Sequence, residues 1–210
     1  MRKGKTYESG VDTLAIKSTV ETILVPVPRP LYMTIEIDDS VRAVYFDLET
    51  TSLKKDCEIL ELAAVHSNST FCRYIMPHRD IDPKASKVTG LSVRDDVLHY
   101  SSTALQTVTI QQCLTDFLDR CKDIGKVLLV GYNRKTFDAL CLLYNAREAH
   151  LLDDITTQIH GFADSLSLVK AEYKGQVPRV IKNYKLSTVA AHVLNRDFCA
   201  HKAMEDDTVL

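Results

Sequence analysis

The chain has 210 residues, 45% hydrophobic and 26% charged, which argues against general disorder and supplies enough apolar mass for a sizeable core. With 26 Lys and Arg against 28 Asp and Glu, the formal net charge of -2 excludes a general electrostatic attraction to nucleic acid. Any such binding therefore needs a local basic patch.

The six cysteines, at positions 57, 72, 113, 121, 141 and 199, form no CxxC pair and have no histidine at zinc-ligand spacing. Cys72, Cys113, Cys121 and Cys141 sit among apolar residues, as reduced core thiols do. That pattern suits a reducing compartment, the nucleus or cytoplasm. No apolar run reaches the roughly 18 residues that a membrane-spanning helix needs, so no membrane partner is expected. The basic start MRKGKTYESG is not followed by a signal-peptide core.

Residues 1–40 read as an arm or linker, marked by the proline-punctuated stretch Val25-Pro26-Val27-Pro28-Arg29-Pro30, and residues 41–210 as the folded domain. Leu31 to Ile37 has the composition of a short strand. The apolar run from Val41 to Phe46 is a strand by composition, and acids follow at Asp47 and Glu49. Positions two apart on a strand share a face, so the two carboxylates project together. Paired acids at the end of a buried strand are costly without a cation beside them, which points to a hard metal, Mg²⁺ or Mn²⁺. A strand running out into a polar turn, Thr50-Thr51-Ser52, is the plainer alternative.

Ile59 to Val65 and Thr70 to Met76 read as two further strands of an antiparallel meander, stopped by Pro77. Lys84 to Val93 predicts a short helical turn ending at Gly90. Thr109 to Cys121 places Ile110, Cys113, Leu114, Phe117, Leu118 and Cys121 at helical spacing, with Thr109 as N-cap. Lys126 to Gly131 is apolar after its first residue, as a buried parallel strand is. A helix follows with Phe137, Leu140, Cys141 and Tyr144 on one face, then a strand near Gly161 to Ser165 and a helix over Leu186 to Leu194. A meander followed by alternating helices and strands predicts an α/β mixed sheet of five strands with helices on its faces.

Two later acidic positions bear on the first pair. Asp138 opens the helix after the buried strand, where the helix dipole favours an acid in any case. That position also lies near the carboxyl edge of the sheet, where sites in α/β folds gather. The cluster His201-Lys202-Ala203-Met204-Glu205-Asp206-Asp207 reads by itself as an exposed acidic tail.

Taken together, Asp-x-Glu on a strand, Asn-x3-Phe-Asp at a helix start and His-x-Ala-x2-Asp near the end form a specific composite. It resembles the DnaQ-like 3′→5′ exonucleases of the DEDD superfamily, in the branch whose third motif carries histidine. Asp47 and Glu49 match the first motif, Asp138 the second, and His201 with Asp206 the third. The Asn133 to Asp138 spacing and the run Thr89-Gly90-Leu91 are similar to those of three-prime repair exonucleases. The stretch GFADSLSLVKAEY…NYKLSTVAAHVLN resembles the exonuclease-like C-terminal domain of promyelocytic leukaemia proteins. Tyr132 stands where a histidine commonly precedes the asparagine, and Ser52 replaces a common glycine.

The resemblance implies a ribonuclease H-like fold and a two-metal (Mg²⁺ or Mn²⁺) 3′→5′ exonuclease. Its substrate would be single-stranded or frayed DNA or RNA, released as 5′-mononucleotides. It further implies that Asp47, Glu49, Asp138 and Asp206 are metal ligands and that His201 is the general base, a task suited to imidazole near neutral pH. Thr50, Thr51 and Asn133 are candidate substrate contacts, and Leu91 a candidate wedge against the terminal base, with plain core packing as its alternative. Lys170, Lys174, Arg179, Lys182 and Lys185 around Tyr173 and Tyr184 would hold phosphates and stack bases; a solvated lysine-rich loop explains them equally. The rival function is a non-catalytic exonuclease-fold module that binds nucleic acid or protein. A homodimer, DNA versus RNA preference, and a longer parent chain all stay open at this stage.

Overall fold

The computed structural model describes residues 38–133, 137–174, 177 and 180–194, all of them within the compact unit Ile35–Leu210. The N-terminal arm expected over 1–40, apart from its last three residues, lies outside the described residues.

The centre of the fold is a six-stranded sheet whose order is β7 (Thr107–Val108), β3 (Ser69–Ile75), β2 (Ile59–His66), β1 (Val41–Thr50), β8 (Lys126–Gly131) and β9 (Ile159–Asp164). β1, β2 and β3 form the expected antiparallel meander. β8 pairs parallel with β1, and β9 parallel with β8. The apolar run of β8 follows from its place between two strands, with residues 127–131 all buried. The sheet has one strand more than the sequence predicts, because Thr107–Val108 (β7) pairs parallel with Tyr74 and Ile75 of β3. Two residues carry no legible alternation.

α1 (Pro83–Thr89) is the expected short turn. Asp82 caps it by accepting from the Lys84 N–H at 2.8 Å, and Gly90 ends it at φ 73° with its N–H on the Ser86 carbonyl. A small second sheet follows, β4 (Leu91–Arg94), β5 (Val97–Tyr100) and β6 (Thr103–Ala104), which the sequence does not announce. Its first turn sets both Asp95 and Asp96 at positive φ, 49° and 57°, a hairpin geometry that Asn-Gly signals and Asp-Asp conceals.

α2 (Ile110–Ile124) begins as predicted, Thr109 Oγ1 accepting from the Gln112 N–H at 3.1 Å. Its Cys113, Leu114, Phe117, Leu118 and Cys121 pack on the sheet face made by Val44, Phe46 and Leu48 of β1. α3 (Asp138–Glu148) covers the same face, though through another stripe than expected. Asp138, Cys141, Leu142, Asn145 and Ala146 are buried, while Leu140 is 55% exposed. α4 (Leu152–Gln158) and α5 (Ser165–Glu172) are additional short helices, and α6 (Leu186–Leu194) lies where the sequence puts it. Tyr132, Leu166, Ile181 and Val189 make a separate apolar cluster that seats α5 and α6. Among the described residues no helix is long and apolar enough to cross a membrane.

Candidate functional site

Alternation along β1 sorts its side chains. Val44, Phe46 and Leu48 join the helix-covered core, so Asp47 and Glu49 face the other side of the sheet. Both are nonetheless buried, at 2% and 8% exposure. The register with β2 puts Asp47 opposite Ala63 and Glu49 opposite Glu61, with a shift in the ladder between Glu49 and Thr50. Partners across an antiparallel pair share a face, so Glu61, itself buried, joins the same acidic row.

Asp138 is the first residue of α3 and fully buried, with both carboxylate oxygens shielded from solvent. It sits within electrostatic reach of Cys57 and Cys141, whose Sγ atoms are 3.1 Å apart. The Cys141 thiol beside it holds Cys57 below the ordinary thiol value, helped by the Thr50 hydroxyl. Cys141 in turn is pushed up by Cys57 and by burial. Thr50, the two thiols and Asp138 therefore link the end of β1 to the first turn of α3.

A cleft of about 550 Å³ opens over this junction, lined among others by Glu49, Thr50, Leu53, Lys54, Lys84, Val88 and Phe137, the neighbour of Asp138. Leu53 is 87% exposed and Val88 54%, an exposed apolar lip on the cleft. Of the three acids, Glu49 lines the cleft, and carboxylate oxygens are the chemistry of a hard divalent cation. Among the described residues no three His, Cys, Asp or Glu side chains form a group that could hold a metal ion. Both His201 and Asp206, the expected third motif, lie outside the described residues, as does Arg179.

The other expected contacts divide. Thr50 lines the cleft, its hydroxyl donating to the Ser52 carbonyl at 2.9 Å. Thr51 ties down the β1–β2 connection instead. Its N–H donates to the Glu58 carbonyl at 2.9 Å and its hydroxyl accepts from the Glu58 N–H at 3.0 Å. Asn133 is exposed at φ 58°, with its N–H on Asp164 Oδ1 at 2.8 Å.

Leu91 takes the core position that was the alternative to a wedge. It is 1% exposed and packed against Leu60 and Leu98, because the strand after Gly90 turns it inward. Leu53 and Val88 occupy the exposed apolar positions. Leu53 stands four residues after Glu49 in a polar turn, a signal the sequence offers but which the core-like pattern around Leu91 overshadows.

The two tyrosines of the basic segment also depart from expectation. Tyr184 donates to the Tyr173 carbonyl at 3.2 Å and accepts, through its own carbonyl, from Tyr132 at 2.8 Å. Both rings are half-buried and pack against the cluster that seats α5 and α6, while Lys170, Lys174, Lys182 and Lys185 are exposed. Tyr132 is buried as well, and burial pushes its phenol up to about 12.

Glu61 is the residue that sequence reasoning passes over. An acid inside the apolar run ILELAAV was the available signal. It accepts from the Cys72 thiol at 3.4 Å, and burial together with this carboxylate pushes Cys72 up to about 12.

Strand order, the antiparallel-to-parallel switch beside β1 and acids at the sheet's edge define a ribonuclease H-like domain with the fold of DEDD-type exonucleases. Solved structures share it: E. coli Exonuclease I in complex with a dT13 oligonucleotide superposes with a TM-score of 0.64 at 15% identity, over 80% of this chain and 39% of that one. Exonuclease I from Methylocaldum szegediense gives a TM-score of 0.63 at 14% identity, over 80% and 38%. The family model for the Exuperantia RNAse H-like domain matches residues 41–194, and the chain belongs to that family. Among sequence relatives, the maternal protein exuperantia of Drosophila melanogaster is 27% identical over 154 residues, 67% of this chain and 28% of that protein. The PolC-type DNA polymerase III of Caldanaerobacter subterraneus subsp. tengcongensis is 28% identical over 169 residues, 78% of this chain and 10% of that protein. The chain thus spans under a third of the length of either relative.

Proposed function

We propose that this domain is a divalent-metal-dependent 3′→5′ exonuclease acting on single-stranded or frayed nucleic acid and releasing 5′-mononucleotides. The observation that carries the reading is the burial of Asp47 and Glu49 at the end of β1 and of Asp138 at the start of α3, with Glu49 on the wall of a cleft that Leu53 and Val88 also line. Asp47, Glu49 and Asp138, with Asp206, would hold Mg²⁺ or Mn²⁺. Bound there, divalent cations supply charge neutralisation of the phosphate and a more acidic water.

The protein's own groups do the rest. Leu53 and Val88 would bear on the terminal base and exclude water from it, which orients the last phosphodiester toward Glu49. Lys54 and Lys84 on the cleft wall supply positive charge to the strand's phosphates. His201 would take the proton of the attacking water as general base, worth about 10²–10⁴-fold.

The test is digestion of 5′-labelled single-stranded DNA and RNA with Mg²⁺, with chelator, and with Asp47→Asn and His201→Ala. Stepwise shortening from the 3′ end is expected with Mg²⁺ alone, with losses of at least about 10²-fold in Asp47→Asn. His201→Ala should lose turnover while single-strand affinity holds, since proton removal is felt only in the transition state. Tight binding with no shortening under any divalent ion would replace the enzyme with a binding module. Undiminished cleavage in chelator would remove the two-metal mechanism.

A further inference from the structure

Two cysteines in this domain have no part in the mechanism above, yet the fold brings them together across 84 residues of chain. Cys57 ends the β1–β2 connection and Cys141 lies one turn into α3. Their sulfurs are 3.1 Å apart, so closing to a bonded separation of about 2.05 Å takes a movement of about 1 Å. Asn145 fixes the two backbones to each other, donating through Nδ2 to the Cys57 carbonyl at 3.0 Å and to the Cys141 carbonyl at 2.9 Å. Cys113 and Cys121 are buried too but lack such a partner within the hydrogen bonds of the described residues, and Cys72 bonds to Glu61. Cys57 is 2% exposed and lies on the wall of a second pocket of about 270 Å³, with Thr51, Asp56 and Arg79.

We propose that Cys57 and Cys141 form a modification site, a dithiol that a small hydroperoxide oxidises to an intramolecular disulfide pinning the first turns of α3 to the β1–β2 connection. The step balances in two stages. The Cys57 sulfur attacks one peroxide oxygen, the O–O bond breaks, and hydroxide leaves to give a sulfenic acid. The Cys141 sulfur then attacks the Cys57 sulfur and the S–O bond breaks. The two thiol protons end in two water molecules, or in water and an alcohol if the peroxide is organic. Two thiols lose two electrons and the peroxide gains them. The bond would join the element that carries Asp138 to the one that follows Glu49. A cross-link closing so long a loop restricts the unfolded chain.

The full chain is treated with graded hydrogen peroxide, quenched with an alkylating reagent, digested without reduction and mapped by mass spectrometry. The expected product is a peptide pair joined through Cys57 and Cys141, formed at doses that leave Cys113 and Cys121 as thiols and lost on adding dithiothreitol. The oxidised protein should melt higher than the reduced one and exchange amide hydrogens more slowly over 138–142. Oxidation of Cys57 to sulfinic acid with Cys141 still alkylatable would overturn the proposal, as would pairing of either thiol with another cysteine. A mapped link with unchanged melting and exchange would overturn the pinning. Cys57→Ser should abolish the cross-link; if that variant fails to fold, the wild-type map still decides. Neither readout uses cleavage, so the result is independent of the nuclease reading.

Discussion

Glu49 tests the acidic row most directly, because two of its neighbours on the sheet, Asp47 and Glu61, carry the same charge. Asp47 lies two residues away on the same face, about 6.6 Å along the strand, and Glu61 faces it across the ladder at about 5 Å. At an effective dielectric of about 20 these pairs repel by roughly 2.5 and 3.3 kcal/mol when ionised. A carboxyl group can relieve repulsion by binding a proton, which from an ordinary pKa of about 4.3 costs about 3.7 kcal/mol at pH 7 and caps the effect. Glu49→Gln should therefore stabilise the metal-free protein by about 1–3 kcal/mol at neutral pH. The sign with pH follows: the repulsion exists only while the acids are ionised, so the gain is full above the carboxyl range and fades as pH falls through it. The assay is urea denaturation of both proteins in chelator at neutral and acidic pH, repeated in excess Mg²⁺. In Mg²⁺ the wild type gains binding-linked stability and the gap should close or reverse. A variant less stable than wild type in chelator, or a gain that persists on acidification, would refute the argument.

Gly90→Ala should cost about 1–3 kcal/mol, read as a lowered denaturation midpoint, because φ 73° is strained for a side chain and the new Cβ would meet the Tyr100 ring at 3.0 Å. Leu53→Ala should leave the melting temperature unchanged, since the side chain is 87% exposed, while weakening binding of a single-stranded 3′ end in filter or anisotropy assays; unaltered affinity would remove Leu53 from the substrate surface. Burial pushes Cys113 and Cys121 up to about 12, so both should resist alkylation at pH 8 until the chain unfolds. Their folded values lie above the unfolded thiol's, so this contribution to stability is complete below about pH 8.5 and is lost as pH rises toward 12, measurable as falling melting temperature in alkali.

The sequence by itself determined what depends on local pattern. Alternation and apolar runs placed β1, β2, β3 and β8, the Thr109 cap opened α2, and the Gly90 signal closed α1, because each is set by residues within one or two turns of one another. The order of acids also carried the superfamily, since Asp47, Glu49 and Asp138 keep their motif spacing whatever surrounds them. Only the tertiary structure decided which side chains face a partner. Leu91 and Leu53 are both apolar residues beside a turn, and one went to the core while the other stayed in the open cleft according to the path of the chain after Gly90. Tyr173 and Tyr184 look like a stacking surface in a basic stretch, and packing in the cluster around Tyr132 half-buries both. Glu61 joined Glu49 through strand register, and Cys57 met Cys141 through the docking of α3. The first depends on the register between two strands and the second on a docking across 84 residues, and neither is encoded by local spacing.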